Sequence, residues 1–199
     1  RDPLWSRGLG DVYKRQDNEM RIRVAMDYSM AEEFDSAIKH INVAIDRNKE
    51  GWMGYYSRAD IYLSMGEHGK AVADYEEAYK YNQTHDNLLN NWAWTLATSD
   101  NDEVRDGKKS VELALKACEV SEYKKPHILS TLGAAYAEVG DFDNAKKWAK
   151  KAVEIGREDI QEHLEKELDF YEKGKPWREN KAKEREGKPM VDRSKLKTI

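Results

Sequence analysis

The sequence predicts an all-α protein in which pairs of short helices stack side by side as a solenoid. Small residues recur in fixed columns, 34 to 40 residues apart, along most of the chain. The 199 residues include four Pro and twelve Gly, which are too few for a turn-rich β-sandwich. Eleven Tyr, six Trp and three Phe are too many aromatic residues for a mostly disordered chain.

Three columns of small residues define four repeating units. They are Ala25, Ala59, Ala93 and Gly133; Ala37, Ala71, Ser110 and Ala145; and Ala44, Ala78, Ala117 and Ala152. The third unit fits the columns if its five extra residues lie between its two helices. Small residues let two helices approach closely, and larger residues fill the gaps beside them.

These columns predict two helices in each unit. The expected ranges are 18–31, 34–47, 51–65, 68–81, 85–98, 106–121, 126–139 and 142–156. An acidic residue recurs where each second helix starts, as an N-cap that accepts free backbone amides: Glu33, Glu67, Asp106 and Asp141. Gly66 and Gly140 suit the tight turns that precede two of these helices.

A ninth helix is predicted near residues 158–173. Its apolar residues form one stripe, made of Ile160, Leu164, Leu168 and Tyr171, and its other face is polar. A helix of this kind covers the last repeat of a solenoid and presents its polar face to water.

The repeat pattern resembles the tetratricopeptide repeat (TPR), a helix–turn–helix unit of about 34 residues. The fourth unit reads Leu129-x-x-Leu132-Gly133-x-x-Tyr136, followed by Ala145. The resemblance implies a right-handed superhelical solenoid of four units, about 18–51, 52–85, 86–125 and 126–157, closed by a capping helix at about 158–173. The Pro that usually ends a unit is absent, and Arg58 occupies a normally apolar position. The segment YEKGKPWRE resembles the ends of bacterial multi-repeat proteins.

The two ends are expected to lie outside this array of repeats. Residues 1–16 resemble translated adaptor or vector segments at the ends of environmental sequence fragments, which would place the natural N-terminus upstream. The alternative is a natural disordered leader, and the compartment stays open under both interpretations. Residues 174–199 are expected to form a basic, mostly extended or mobile tail, in which Trp177 and Met190 could dock locally.

Charge is divided unevenly between the tail and the rest of the chain. Residues 172–199 carry ten Lys or Arg and five Asp or Glu, a net charge of +5, which leaves −9 on the remainder. An acidic body disfavours a nucleic-acid-binding domain. Electrostatic contact of the tail with nucleic acid or an anionic membrane is the alternative to a solvated tail.

The sequence offers no motif for catalysis, cofactor binding or metal binding. The five His follow no metal-ligand spacing, and the single cysteine, Cys118, is expected to be buried. GEHGK at 66–70 lacks the spacing of a phosphate loop, and SDNDEVRDG at 99–107 departs from a calcium-binding loop, although a weakly bound cation is the alternative there. We therefore expect no enzyme, no cofactor and no metal. No stretch approaches the ~18 consecutive apolar residues of a transmembrane helix.

The resemblance implies that the first helix of each unit lines a concave, ligand-binding surface. The residues expected to face a bound peptide are Met26, Tyr56, Asp60, Asn87, Asn90, Asn91, Trp94, His127 and Ser130, with Ser29, Met53 and Leu63 beside them. Amides can pair with a peptide backbone, while Trp and Met can hold apolar anchors. The alternative is that these residues are only exposed or lightly packed, with Trp94 in the contact between the second and third units.

The sequence thus favours a non-catalytic scaffold that binds another polypeptide. The alternatives are a self-associating structural module, or the TPR part of a larger enzyme or secreted protein whose catalytic domain lies upstream. Chaperone-binding TPR domains clamp a C-terminal carboxylate with Lys, Arg and Asn side chains. The corresponding residues here are Tyr56, Asp60, Asn91, His127 and Thr131. Only Asn91 matches, so binding of chaperone tails is not expected.

Overall fold

The helices of this protein pair in sequence order, and each pair packs on the next. The computed structural model describes residues 4–179, with side chains from residue 16 onward, and within this range it contains nine α-helices and no β-strand. They are α1 (Leu4–Met30), α2 (Phe34–Arg47), α3 (Trp52–Met65), α4 (His68–Tyr81), α5 (Asp86–Thr98), α6 (Gly107–Val120), α7 (Pro126–Glu138), α8 (Phe142–Ile155) and α9 (Glu158–Glu172). The α1–α2, α3–α4, α5–α6 and α7–α8 hairpins follow one another, and α9 packs on α8 and α7. The predicted all-α solenoid is confirmed.

The predicted columns of small residues form the contacts inside the hairpins. Their alanines are fully buried, and Ser110 is equally buried because its hydroxyl donates to the carbonyl oxygen of Ala93 at 2.7 Å. At Gly133, an added Cβ would lie 3.2 Å from the carbonyl oxygen of Ala145 and 3.4 Å from the nitrogen of Ala149. A side chain at position 133 would therefore make tight contacts with the α8 backbone, which would have to shift by a few tenths of an ångström.

The first helix is longer than predicted. The sequence predicts it from residue 18, whereas α1 begins at Leu4. Once a helix is nucleated, each further residue adds one backbone hydrogen bond, so a helix can extend beyond the part whose side chains form a periodic pattern.

The N-cap hydrogen bonds predicted for the second helix of each unit are confirmed for the two Asp residues and wrong for the two Glu residues. Asp106 accepts a hydrogen bond from the backbone nitrogen of Lys109 at 3.0 Å, and Asp141 accepts one from that of Asn144 at 3.1 Å. Glu33 and Glu67 occupy the N-cap positions of α2 and α4 but make no capping hydrogen bond with their side chains. The short Asp side chain suits the first turn of a helix better than the longer Glu.

The chain that follows α9 lies against the ends of α5 and α7. The backbone nitrogen of Glu179 donates to the carbonyl oxygen of Thr98 at 2.9 Å. Arg178 donates to the carbonyl oxygen of Ala97 at 3.2 Å, and its guanidinium lies 2.6 Å from the carboxylate of Glu138. Residues 175–179 are therefore without helix, as expected, but they are anchored to the solenoid. Met190 lies outside the described residues.

Candidate peptide-binding groove

The first helices of the second and third units, α3 and α5, enclose a groove of about 250 Å³. Its lining combines polar, charged and apolar side chains: Asp60, Leu63, Ser64, Asn91, Trp94 and Glu179. We call it the α3–α5 groove. Four of these residues, Asp60, Leu63, Asn91 and Trp94, belong to the residues that the sequence predicts to lie at the ligand-binding surface.

A network of hydrogen bonds fixes the polar side of the groove. One oxygen of Asp60 accepts from the hydroxyl of Tyr75 at 2.6 Å and from the amide of Asn91 at 3.1 Å. The same amide nitrogen lies 3.2 Å from the hydroxyl of Tyr56. Asn90 in turn donates to the side-chain oxygen of Asn91 at 3.1 Å. These bonds cross from α5 to α3 and α4, so the positions of the amides depend on the packing of two units.

The phenols in this network are held in their protonated, neutral form. Burial, reinforced by the negative charge of Asp60, raises the pKa of Tyr56 and also that of the completely buried Tyr75. A protonated phenol can donate a hydrogen bond to the carboxylate, whereas a phenolate would repel it. Asp60 thus accepts hydrogen bonds from the neutral donors Tyr75 and Asn91.

One acceptor in the network is unsatisfied. The side-chain oxygen of Asn90 is buried and has no hydrogen-bond partner within the described residues, and the residue as a whole is 7% exposed. An unpaired buried polar group costs about 1–3 kcal/mol. Most buried polar groups have a hydrogen-bond partner, so this oxygen differs from the rest of the network.

Trp94 forms the boundary between the groove and the end of the solenoid. Its ring packs against a cluster that includes Ala97, Ala134 and Leu168, and its indole nitrogen donates to the carboxylate of Glu179. The residue is half-buried and lines the groove as well as contacting the cluster.

The other predicted site residues lie outside this network. Met26 packs on the core of the first unit, Asn87 is half-buried in the first turn of α5, and His127 is exposed at the start of α7. The structure thus brings together Tyr56, Asp60, Asn90, Asn91 and Trp94, and leaves Met26, Asn87, His127 and Ser130 apart from them.

Ser130 lies beneath the terminal helix. It is 4% exposed, and its hydroxyl donates to Glu167 of α9 at 2.6 Å. The other oxygen of Glu167 lies 3.0 Å from His163, one turn earlier on α9, so this buried carboxylate contacts both α7 and its own helix. The helix that caps the solenoid covers the inner side of the fourth unit at this point.

Three contributors to the groove are absent from the predicted set: Ser64 on α3, Tyr75 and Glu179. Tyr75 lies on α4, the second helix of the second unit. Its position in the repeat predicts that its side chain packs in the core, but not that its hydroxyl donates to Asp60. Glu179 is distant in sequence from every other lining residue, and no local pattern indicates its contact with Trp94.

The described residues give little support for a metal-binding site or a catalytic nucleophile. No three His, Cys, Asp or Glu among these residues are grouped in a way that could hold a metal ion. Cys118 is fully buried, and burial raises the pKa of its thiol to about 12, so that it is not a nucleophilic thiolate at neutral pH. Among the helices described, none combines the length and the apolar character needed to cross a membrane.

Comparison with known proteins identifies the repeat. A family model described as tetratricopeptide repeat matches residues 11–164. The fold is similar to that of PilF from Pseudomonas aeruginosa, with a TM-score of 0.69 at 16% identity, over 87% of this chain and 71% of that one. PilW, a type IV pilus biogenesis factor, gives a TM-score of 0.62 at 20% identity, over 80% of this chain and 76% of its own.

A curated relative matches only part of the chain. DnaJ homolog subfamily C member 3 from Gallus gallus is 26% identical over 93 residues, which are 47% of this chain and 18% of the chicken protein. At these identities PilF and PilW are similar to this chain in fold alone.

Proposed function

Because the chain belongs to the tetratricopeptide repeat family, we propose that it is a non-catalytic scaffold that holds an extended segment of another polypeptide in the α3–α5 groove. A protein-interaction scaffold is the function typical of this fold. The finer statement, that binding occurs in this groove and through these residues, is supported by the groove's chemistry.

The observation that carries the proposal is the placement of oriented amides beside an aromatic ring. Asn91 is held in place by Asp60 and Tyr56 in the free protein. Binding of a ligand therefore costs little additional side-chain entropy at this residue. An extended peptide presents backbone N–H and C=O groups that amide and phenol side chains can pair with. Trp94 adds a large apolar surface next to them, and Trp is among the residues that contribute most to binding energy.

A random dodecapeptide phage library selected on the full chain tests the proposal. We expect selected peptides to bind Trp94→Ala at least ~30-fold more weakly, corresponding to a hot-spot loss of ~2 kcal/mol, and Asn91→Ala more weakly as well. Melting curves of each variant identify any loss that is due to unfolding.

Trp148→Ala is the matched control, because Trp148 lies on α8 and stacks on Tyr123, away from the α3–α5 groove. This variant should bind the selected peptides like the unmodified chain. Peptides that bind Trp94→Ala and Asn91→Ala as tightly as the unmodified chain would remove the groove from the proposal.

A second candidate function is self-association through α1. Met20 and Met30 lie on α1 and are 65% and 76% exposed, and no preceding unit covers them within the described residues. Sedimentation velocity at several concentrations tests this candidate, since a self-associating module should sediment faster as its concentration rises. The variant Met20→Lys/Met30→Lys should abolish the change.

A further inference from the structure

We infer that residues 177–179 occupy part of the surface on which a partner polypeptide docks, so that a partner segment enters the α3–α5 groove by displacing them. We call residues 175–179 the strap. This inference rests on the proposed function and describes how access to that groove is regulated.

The end of α9 directs the chain toward the first helices of the third and fourth units. Gly174 adopts a left-handed conformation with a φ of +66°, and the backbone nitrogen of Lys175 donates to the carbonyl oxygen of Phe170 at 2.9 Å. This pattern of hydrogen bonding ends a helix, and Pro176 follows it at a position where the helix cannot continue. The strap consequently leaves the axis of α9 and contacts α5 and α7.

The strap binds the last turn of α5 through groups that a separate polypeptide also carries. The last carbonyl oxygens of a helix have no partner inside it. Here the carbonyl oxygen of Ala97 accepts from Arg178 at 3.2 Å, and that of Thr98 accepts from the backbone nitrogen of Glu179 at 2.9 Å. An extended segment of another protein presents the same backbone N–H groups, so it can replace the strap at these acceptors.

Two side chains anchor the strap by contacts that are typical of a bound peptide. The ring of Trp177 meets those of Phe170 and His163 edge to face, with centroids 5.0 and 5.4 Å apart. The guanidinium of Arg178 lies 2.6 Å from the carboxylate of Glu138. Trp and Arg are enriched among the residues that contribute most to protein–protein binding. The strap is therefore held by more than its covalent link to α9.

Release of the strap leaves the buried carboxylate of Glu138 with a cation. Glu138 also lies 3.0 Å from Arg105, and this second ion pair does not involve the strap. A buried charge that loses its only partner is strongly destabilising, whereas Glu138 retains one. Trp177, Arg178 and Glu179 are themselves only half-buried. The strap can therefore detach without unfolding of the units beneath it.

The strap ends at the α3–α5 groove and limits its size. Glu179 is one of the six lining residues, and it accepts from the indole nitrogen of Trp94, which is another. The volume of about 250 Å³ lies below the ~300–1,000 Å³ that is usual for pockets holding small ligands. An extended segment of several residues is larger than such a ligand, so it needs space that Glu179 now occupies. Displacement of the strap would widen the groove at Trp94.

Peptide binding to a variant with a released strap tests the inference. In the full chain, Trp177→Ala/Arg178→Gln removes both side-chain anchors, and neither residue lines the α3–α5 groove. The dodecapeptides selected on the unmodified chain should bind this double variant about tenfold more tightly, because they no longer have to displace the strap. Lys175→Gln is the matched control, since Lys175 is an exposed residue of the same segment, and it should leave the affinity unchanged.

Hydrogen exchange and a synthetic peptide give two further readouts. Mass spectrometry should show faster exchange at residues 175–179 of the double variant, with α5 and α7 still protected. A fluorescent peptide with the sequence of residues 173–179 should bind the double variant and displace the selected dodecapeptides from it. The unmodified chain should bind this strap peptide about tenfold more weakly, and a scrambled peptide of the same composition should not bind.

The possible results separate the inference from the proposed function. Equal affinity of the selected peptides for the unmodified chain and the double variant would overturn the inference and leave the proposed function intact. The inference is also wrong if exchange in the strap does not increase, or if the strap peptide does not bind the double variant. Selected peptides that bind without dependence on Trp94 and Asn91 would contradict the proposed function, and with it the displacement at the groove, even if the strap peptide still binds.

Discussion

Gly133 shows at the scale of one residue why a helical repeat needs small side chains at fixed positions. The carbonyl oxygen of Ala145 would lie 3.2 Å from a Cβ at position 133, and both contacting atoms there belong to the α8 backbone. A flexible side chain could rotate away from such a contact, but a helix backbone has to shift as a whole. The close approach of α7 and α8 therefore depends on this glycine.

We expect Gly133→Ala to lower the free energy of unfolding by about 1–3 kcal/mol, because the added methyl overpacks this contact. Gly69→Ala is the matched control. An added Cβ at Gly69 of α4 meets only Val104, at 3.9 Å, and alanine favours a helix over glycine by about 1 kcal/mol. Urea denaturation measures the free energy of unfolding of both variants. If Gly133→Ala and Gly69→Ala are equally stable, overpacking against α8 is not the cause of the loss.

Tyr75 illustrates how one buried hydroxyl connects the core to the groove. Its ring is fully buried between α3 and α5, and its hydroxyl orients Asp60. Removal of the hydroxyl alone should leave the packing intact.

We expect Tyr75→Phe to cost about 1–2 kcal/mol of stability through the lost hydrogen bond to a charged group. The variant should also weaken peptide binding, since Asp60, which accepts from Asn91, loses one of the donors that orient it. Tyr81→Phe is a suitable comparison, because Tyr81 is 43% exposed at the end of α4. A calorimetric melt and a binding titration of both variants give the two readouts.

At the scale of elements, α9 ends the solenoid by covering the last unit. Leu164 is 4% exposed and Tyr171 is fully buried, whereas Glu165 and Lys166 on the same helix are exposed. The stripe predicted from the spacing of apolar residues is thus the face that packs on α7 and α8. Glu167 is the exception: it is a carboxylate on the packed face, held by Ser130 and His163.

We expect Leu164→Ala to lower the free energy of unfolding by about 2–5 kcal/mol, as for other buried leucines. Glu165→Ala, at the next position and exposed, should change it by less than about 0.5 kcal/mol. Denaturant titrations of both variants test the assignment. A comparable loss in the two would mean that α9 does not pack as described.

At the scale of the whole molecule, each described helix pair packs mainly on the pairs beside it in the chain. The core of the first unit, with Ile41 at its centre, is a separate cluster from the one that extends through α3 to α9. In such an architecture, stability approximates a sum of unit and interface contributions, so a local change need not reach the far end.

We expect Ile41→Ala to increase amide hydrogen exchange in α1, α2 and α3 while α7 and α8 stay protected. Ile41 is fully buried, so the lost packing is large. Hydrogen exchange measured by mass spectrometry resolves the segments. A uniform increase across all units would show that the chain unfolds as a single cooperative block instead.

The repeat and its helices were determined by the sequence alone, because helices form from local hydrogen bonds and their contacts require small residues at a fixed period. The positions of the columns, the Asp caps and the stripe of α9 all follow from spacing along the chain. The start of α1 was not predictable, because residues 4–17 carry no periodic pattern.

The tertiary structure decided which of the predicted site residues meet. Asn90, Asn91 and Trp94 share one helix, so their proximity could be read from their spacing. The addition of Tyr75 and Glu179, and the covering of Ser130 by Glu167, join segments 15 to 85 residues apart. Contacts of this kind depend on how whole units stack and where the chain turns after α9, and no local spacing encodes either.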